Sequence, residues 1–358
     1  MPDVPGLDVS GLQAWMHGAH PELQGDQLSA RVIAGGKSNL TYAIDGGSIP
    51  LILRRPPLGH VLSSAHDMRR EFRVISAVQG TGVPVPATID VVDDTETDQV
   101  TGTTFLLMER APGVVLSSRR QNAGFTTSGL RALSIALIQH LGDLDAIDPR
   151  AVGLADFGRP HGYLDRQLAT WRRQLNASRT RPLPALEALE ARLGTTVPPP
   201  GRTGIVHGDY RLDNVLVVGE GDRPRVSAIL DWEMATLGDP LVDLGIFALY
   251  WDIDRSLGPL EGALSSAVDP TAGYPTFDEL LAVYAERAGI PVPDLRWYRA
   301  FAAYKLAVIA EGINTRFLAG ETVGEGFDRL GDLVEPLAQH GLTQHGLTQH
   351  GHTRLEGR

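Results

Sequence analysis

The chain of 358 residues contains no cysteine. Disulfide bonds, thiolate nucleophiles and cysteine-ligated zinc are therefore excluded, and a reducing compartment is compatible with the composition. The sequence also lacks any continuous apolar run of about 18 residues, so we expect no membrane-spanning helix. Residues 1–16 have neither a basic n-region nor an apolar h-region, and we expect no secretory signal. These absences favour a cytoplasmic protein.

Positive charge is scarce as well. There are 32 Lys and Arg residues against 43 Asp and Glu, which gives a net charge of −11. Binding to nucleic acid or to a membrane surface normally needs a basic surface, so we expect neither partner, and any phosphate site must be local. The hydrophobic content of 42% is that of a folded globular protein, and the length allows two lobes. The oligomeric state stays open.

The pattern up to residue 110 predicts strands and one helix. Strand-like residues 40–44 and 49–55 flank the hairpin signal Asp45-Gly46-Gly47-Ser48. An amphipathic helix is predicted over 66–80, because apolar residues recur there at spacings of four and three. Two further strands are predicted, at 88–94 and 103–110.

Beyond about residue 125 the pattern is mostly helical, with one small strand-rich island at 205–232. We therefore predict an α+β fold with a β-rich N-terminal lobe and a mainly helical C-terminal lobe. The predicted boundaries are an N-terminal helical extension (1–27), the β-rich lobe (28–110), the mainly helical lobe (111–338) and a low-complexity tail (339–358). The tail repeats QHGLT and is predicted to be frayed and solvated.

The stretch IVHGDYRLDNVLVV (205–218) raises the question of function. Its two short apolar runs suggest a core strand pair, yet they bracket five polar or charged residues, His207, Asp209, Arg211, Asp213 and Asn214. Such a segment is either a solvated hairpin turn, in which Asp and Asn are common, or a site.

Spacing favours a site. A hairpin would bring residues 214–218 beside 226–230 and so place Asn214 close to Asp231, with Asp209 just upstream. Two carboxylates and an amide are oxygen donors that suit Mg²⁺, and so small a set leaves room for water and nucleotide phosphates. The segment from His207 to Asn214 also has the spacing of the protein-kinase catalytic loop, in which Asp is the base and Asn binds Mg²⁺.

The N-terminal lobe offers the cation and carboxylate that such chemistry needs. Glu71 shares the apolar face of its helix, where a carboxylate is costly without a partner. Arg54 is one candidate partner, and Arg69 or Arg70 is the alternative. Because neighbouring strand residues face opposite sides, only one of Arg54 and Arg55 enters the cleft, and the sequence does not decide which. The stretch 33–44 could cover phosphate, with Ser38 and Asn39 as donors.

Together, the stretches VHGDYRLDNVLV, AILDWEMATLGDPLVDLG, GGKSNLTY, LRRPP and REFRVI resemble the aminoglycoside phosphotransferase/choline kinase family. More narrowly, they resemble the branch related to the kinase-like domain of acyl-CoA dehydrogenase family members. The resemblance covers residues 28–320 and implies a bilobal protein-kinase-like fold with ATP between the lobes.

The resemblance also implies roles for individual residues. It makes Asp209 the catalytic base, Asn214 and Asp231 the Mg²⁺ ligands, and Arg54 and Glu71 the phosphate-holding pair. It further makes the stretch from Met108 through Glu109 to Ala111 the hinge that meets adenine, and Asp239 and Asp243 the acids that brace the catalytic loop.

These features predict an ATP- and Mg²⁺-dependent kinase that phosphorylates a hydroxyl of a small-molecule acceptor, with a hydroxyacyl compound as one candidate. Only five residues separate Asp231 from LGDP, so control by an activation loop is not expected. Three alternatives stay open: an aminoglycoside O-phosphotransferase, a nucleotide-binding pseudokinase, and a metal-dependent hydrolase built on His207, Asp209, Asp213 and Asp231.

Overall fold

A computed structural model describes residues 4–33, 39–58, 67–258, 266–320, 327 and 329–346. The first part of the chain forms helix α1 (Val9–Ala19), strands β1 (Ser29–Val32), β2 (Leu40–Asp45) and β3 (Leu51–Arg55), helix α2 (Met68–Val78), and strands β4 (Thr88–Val92) and β5 (Phe105–Glu109). The five strands make one antiparallel sheet in the order β1-β2-β3-β5-β4. Strands β2 to β5 and helix α2, which lies between β3 and β4, are the predicted strands and helix, and β1 is an additional strand.

Both faces of this sheet are covered. Phe105 and Leu107 of β5 belong to a cluster that includes α1, whereas Leu106 and Met108 belong to the cluster that includes α2. Successive strand residues point to opposite faces, so one strand serves both layers. Helix α1 is held at its start by Asp8, whose carboxylate accepts hydrogen bonds from the Ser10 and Gly11 amides.

The second part of the chain is mainly helical. Its elements are β6 (Val114–Val115), α3 (Thr127–Ala146), α4 (Tyr163–Ser178), α5 (Pro184–Thr195), β7 (Gly204–Val206), β8 (Val215–Val218), β9 (Arg225–Ile229), β10 (Thr236–Gly238), α6 (Leu241–Leu257), α7 (Phe277–Ala288), α8 (Arg296–Leu318) and α9 (Leu330–Gly346). Helix α8 packs against α4, α5, α6 and α9 and is buried on most of its surface.

The small strands carry the polar stretch, but one expectation about them is wrong. The runs 205–206 and 215–218 do not pair with each other: β7 pairs with β10, and β8 lies between β6 and β9. The physical reason is the 3-10 turn Leu212–Asn214, which leads the chain into a different sheet. The predicted hairpin is correct, since Val215 pairs with Ile229 and Val218 with Arg225.

The predicted frayed tail is also wrong in part. Helix α9 continues across residue 338 to Gly346, so the first part of the tail is ordered helix. Its buried positions Val334, Leu337, Ala338 and Gly341 follow helical spacing into the QHGLT repeat. Gly341 permits a close approach, because a Cβ there would lie 2.6 Å from a Leu189 side-chain carbon. Residues 347–358 lie outside the described part of the chain.

No helix within the described ranges is both long and apolar enough to cross a bilayer.

Candidate active site

The backbone of the loop after β7 is fixed by a buried carboxylate. Asp243, on α6, accepts the His207 amide at 2.6 Å and the Gly208 amide at 2.8 Å. Burial raises the pKa of Asp243 to about 7, and the two amides oppose that rise. The expected bracing role of Asp243 is therefore confirmed. Asp239 instead accepts the Leu241 amide and the Tyr298 hydroxyl.

His207 and Gly208 shape this loop. The buried His207 ring accepts the Asp209 amide on Nδ1 at 3.2 Å, which leaves Nε2 to donate to Leu230 O at 2.9 Å. Burial lowers the His207 pKa, consistent with a neutral ring. Gly208 has φ +91°, and a Cβ there would lie 2.8 Å from Met234 Cβ. With both ring nitrogens engaged, His207 is poorly suited to be a metal ligand.

Asp209 and Asn214 are in direct contact. Asn214 Nδ2 donates to the main-chain oxygen and to Oδ2 of Asp209, both at 2.9 Å. With its nitrogen engaged, the remaining polar atom of the Asn214 amide is an oxygen, the donor type that a hard cation takes.

Asp231 lies at the open end of the β8–β9 hairpin, next to Asn214. The Leu230 amide donates to Asn214 O at 2.8 Å, so the two predicted metal ligands are carried by hydrogen-bonded backbone segments. Asp231 has φ +65°, an uncommon conformation for a non-glycine residue, and its side chain is 36% exposed. The backbone thus turns sharply where this carboxylate meets the cleft.

The N-terminal sheet brings its predicted pair to the same cleft. Arg54 Nη1 lies 2.5 Å from Glu71 Oε1, and Arg54 Nη2 lies 3.4 Å from Asp231 Oδ1. Burial raises the pKa of Glu71 to about 7, although Arg54 opposes the rise. The predicted pairing of Arg54 with Glu71 is confirmed. The alternative is wrong, because Arg69 pairs with Asp93 and Arg70 donates to Ala235 O.

Alternation along β3 also resolves which arginine faces the cleft. Arg55 points to the other face of the sheet, where its Nη1 donates to Gly6 O at 2.8 Å and to Thr101 O at 3.0 Å. Arg54 is therefore the arginine that reaches the second part of the chain, and Arg55 ties the sheet to the N-terminal segment.

The predicted phosphate-covering stretch is only partly described. Ser38 lies outside the described residues, as do Gly35, Gly36 and Lys37. Asn39 is buried, and its Nδ2 donates to Glu233 Oε2 at 2.9 Å. Its Oδ1 is buried without a partner among the described residues. In this arrangement the Asn39 amide nitrogen is turned towards the second part of the chain.

The predicted hinge lies at the crossing between the two parts. Met108 is buried and Glu109 is exposed at the end of β5, and Ala111 begins the connection to β6. The Glu109 amide donates to Ala87 O at 2.8 Å, and the Arg110 amide to Pro50 O at 2.9 Å. These bonds fix the edge of the cleft.

Two charged residues near the site were not found from the sequence. Glu233, two residues after Asp231, contacts Asn39, and its charge acts on Arg54 and Glu71. Lys305, on α8, donates from Nζ to Gly208 O at 2.6 Å. The motif LDWE was a signal for Glu233. Nothing near Lys305 in the sequence connects it to the loop.

Arg211, in the loop, contacts Tyr250 of α6. Arg211 Cζ lies 3.9 Å from the centroid of the Tyr250 ring, and the guanidinium also pairs with Asp213. Most other aromatic residues of α6 and α8 are core, with Trp251, Trp297, Tyr298 and Tyr304 each at most 5% exposed.

A cleft between a five-stranded sheet and a helical lobe, in which an arginine of the sheet meets a carboxylate of the lobe, is the arrangement expected of a phosphotransferase. The profile of the family described as "Phosphotransferase enzyme family" matches residues 29–301, and the chain belongs to that family. The predicted resemblance is confirmed.

Two relatives illustrate the branch. The chain is 36% identical over 305 residues to acyl-CoA dehydrogenase family member 10 of Mus musculus, which covers 85% of this chain and 28% of that protein. It is 33% identical over 343 residues to family member 11 of Homo sapiens, which covers 94% of this chain and 43% of that protein. The chain thus spans less than half the length of these relatives.

Solved structures confirm the predicted fold class. A Ralstonia eutropha protein provisionally named an aminoglycoside phosphotransferase superposes with a TM-score of 0.80 at 31% identity, covering 95% of this chain and 98% of its own. A mutant of the aminoglycoside phosphotransferase APH(4)-Ia, in complex with AMP-PNP and hygromycin B, has a TM-score of 0.58 at 15% identity. It covers 95% of this chain and 100% of its own. The chain has the bilobal kinase-like fold.

Proposed function

We propose that this protein transfers the γ-phosphate of ATP to a hydroxyl group of a small metabolite in the cytoplasm, with a hydroxyacyl compound as the favoured acceptor. One observation carries the proposal. Asp209, Asn214 and Asp231 meet at one end of the β8–β9 hairpin, and the Arg54–Glu71 pair faces them from the sheet. This is the set of base, metal ligands and phosphate cation that phosphoryl transfer requires.

Each residue has a defined task in the proposed reaction. The Asp209 carboxylate orients the acceptor hydroxyl and takes its proton as the bond to phosphorus forms. Arg54 neutralises phosphate charge, and Glu71 fixes the direction of its guanidinium. Asn214 and Asp231 would hold Mg²⁺, which when bound neutralises charge on the phosphates. Because phosphoryl-transfer transition states are loose, most of the acceleration comes from positioning and charge stabilisation.

The nucleotide would lie between the lobes, with its adenine at Met108–Ala111 and its phosphates under the stretch that carries Ser38 and Asn39. The structural neighbours have been solved with different nucleotides: a mutant of APH(4)-Ia with AMP-PNP, and aminoglycoside 2'-phosphotransferase-IIIa with GDP. We favour ATP, and GTP is the comparison nucleotide in the experiment below.

Charge near the base does not by itself select the acceptor. Arg211 and Lys305 both interact with the charge of Asp209, but Arg211 is paired with Asp213, and Lys305 is buried and also interacts with Asp243. The choice of acceptor therefore depends on the relatives. The names of the acyl-CoA dehydrogenase relatives agree with an acyl compound. An aminoglycoside O-phosphotransferase is the second candidate, supported by the name of the Ralstonia protein.

The metal-dependent hydrolase has less support. His207 uses both ring nitrogens, and Asp213 is paired with Arg211. Within the described ranges, no group of three or more His, Asp and Glu side chains is arranged to hold a metal ion.

An ADP-release screen tests the proposal. Purified protein is incubated with Mg-ATP or Mg-GTP and with hydroxylated metabolites, hydroxyacyl-CoA thioesters or aminoglycosides, and each hit is checked by mass spectrometry for a phosphorylated product. We expect an ATP-dependent product with a hydroxyacyl compound. A product with aminoglycosides alone would favour the second candidate. Nucleotide binding without transfer to any acceptor would favour a pseudokinase.

A further inference from the structure

Lys305 is a buried cation that has no carboxylate in hydrogen-bond contact within the part of the chain that the structure describes. It is 8% exposed, and its Nζ donates to the main-chain oxygen of Gly208 at 2.6 Å. The ammonium also lies 5.2 Å from the centroid of the Trp171 ring, on α4. Burial lowers the Lys305 pKa, whereas the charges of Asp209 and Asp243 raise it.

A buried ammonium is costly unless opposite charge compensates it. Its direct partner here is a neutral carbonyl, so compensation must come through space from Asp209 and Asp243. Asp243 accepts the Gly208 amide, and Asp209 follows the Gly208 carbonyl that Lys305 binds. The ammonium therefore acts on both carboxylates at the point where the proposed base is held.

The choice of lysine is unusual for this chain. Of its 32 basic residues, only Lys37 and Lys305 are lysines, and the rest are arginines. Arginine has five donors in a rigid planar fork, whereas lysine is a compact point charge. A space bounded by one carbonyl and an aromatic ring suits the smaller group.

The backbone ahead of Asp209 is therefore held from two helices. Asp243, on α6, binds the amides of His207 and Gly208, and Lys305, on α8, binds the carbonyl of Gly208. That carbonyl belongs to the peptide bond that leads directly into Asp209. A shift of this peptide would move the carboxylate relative to the acceptor hydroxyl.

We propose that Lys305 is a positioning residue for Asp209: its ammonium fixes the Gly208–Asp209 peptide and supplies the positive charge that keeps the loop in its catalytic geometry. The proposal rests on the kinase function proposed above. It makes Lys305 important for turnover and unimportant for nucleotide binding, since no contact joins it to Arg54, Asn214 or Asp231.

Lys305→Met tests this, because methionine has a similar length and flexibility but no charge or donor. Tyr304→Phe, at the neighbouring position of α8, is the matched control: it removes one partly buried hydrogen bond, from the Tyr304 hydroxyl to Glu190 Oε2 of α5 at 2.8 Å. Both variants are measured with the best acceptor of the screen for kcat and for the KM of ATP. Amide hydrogen exchange of residues 207–214 is measured in parallel, without acceptor or nucleotide.

We expect Lys305→Met to lower kcat by about 10- to 100-fold, with a KM for ATP within about twofold of wild type. Exchange of residues 207–214 should become faster in this variant and stay unchanged in Tyr304→Phe. Lys305→Arg, which keeps the charge, should recover part of kcat. Wild-type values of kcat and exchange in Lys305→Met would overturn the proposal. If wild-type protein transfers phosphate to no acceptor, the kinase function fails, and the exchange result alone decides whether Lys305 positions the loop.

Discussion

Asn214 holds Asp209 at two points, since its Nδ2 donates both to the main-chain oxygen and to the carboxylate at 2.9 Å. One side chain thus links the proposed base to a proposed metal ligand. Turnover and metal binding are therefore coupled at Asn214, and a suitable substitution should separate them.

Asn214→Asp keeps an oxygen for Mg²⁺ but replaces the donor by a carboxylate that repels Asp209. We expect Mg-ATP to stabilise this variant against heat as it does the wild type, while kcat falls by about 100-fold because the base is misplaced. Asn214→Ala should lose both the thermal stabilisation by Mg-ATP and the catalytic activity. Thermal-shift assays and steady-state kinetics measure them, and a fully active Asn214→Asp would contradict the coupling.

Substitutions at the adjacent residues Arg54 and Arg55 should affect different properties: nucleotide affinity at Arg54 and stability at Arg55. Arg54→Met removes the cleft cation, and we expect Mg-ATP affinity to fall by about 10- to 100-fold, the loss for a charge-assisted contact. The variant should still fold, because Glu71, with its pKa near 7, can take up a proton. Isothermal titration calorimetry measures the affinity.

Arg55→Met is the control, because it loses the bonds to Gly6 O and Thr101 O on the other face of the sheet. It should lower the melting temperature and leave the affinity for Mg-ATP unchanged. If Arg55→Met were the variant with weakened nucleotide binding, the assignment of the cleft face would be wrong.

Asp243 should make stability depend on pH. Its pKa in the folded protein is about 7, above the ordinary value of 3.8. The folded state therefore binds the proton more tightly, and the stability contribution of this group is full below about pH 4 and is lost as the pH rises through 7. At about 1.4 kcal/mol per pKa unit, the loss is at most ~4 kcal/mol.

Urea unfolding of wild type and Asp243→Asn at several pH values isolates this effect. As the pH rises from 5 to 8, the unfolding free energy of the wild type should fall relative to that of Asp243→Asn, since asparagine does not titrate there. A difference that is constant with pH would show that burial of the Asp243 carboxylate is not what governs its protonation.

Gly208→Ala should reduce stability by more than the positive φ of Gly208 alone would cause. A Cβ at Gly208 would lie 2.8 Å from Met234 Cβ, whereas at Gly80, with φ +82°, it would meet nothing within 4 Å. Both alanines bear the cost of positive φ, about 1 kcal/mol. We expect Gly80→Ala to lose about that amount, and Gly208→Ala to lose at least ~2 kcal/mol and most activity. Equal losses of stability in urea unfolding would contradict the steric account.

Local patterns explain why much of the fold and site could be predicted. The β2–β3 hairpin, the amphipathic α2 and the β8–β9 hairpin each depend on residues close in sequence, and the hairpin was enough to bring Asn214 to Asp231. The pairing of Arg54 with Glu71 followed from the cost of a carboxylate on an apolar helix face.

What was missed depends on contacts distant in sequence. Lys305 is 96 residues from Asp209, and a lysine in an apolar helix does not indicate which carbonyl it will reach. The helical structure of residues 339–346 was also missed, because their low complexity suggested fraying. Packing of α9 on α5 and α8 stabilises this helix. The pairing of β7 with β10 likewise required tertiary structure.

The central claim is that Asp209 acts on the acceptor and does not bind the nucleotide, and Asp209→Asn tests it most directly. Thermal stabilisation by Mg-ATP and phosphoryl transfer to the best acceptor are measured on the same preparation. The account predicts wild-type stabilisation by Mg-ATP together with a loss of transfer of at least about 100-fold, since the amide cannot take the acceptor proton. Full transfer activity in Asp209→Asn would contradict it.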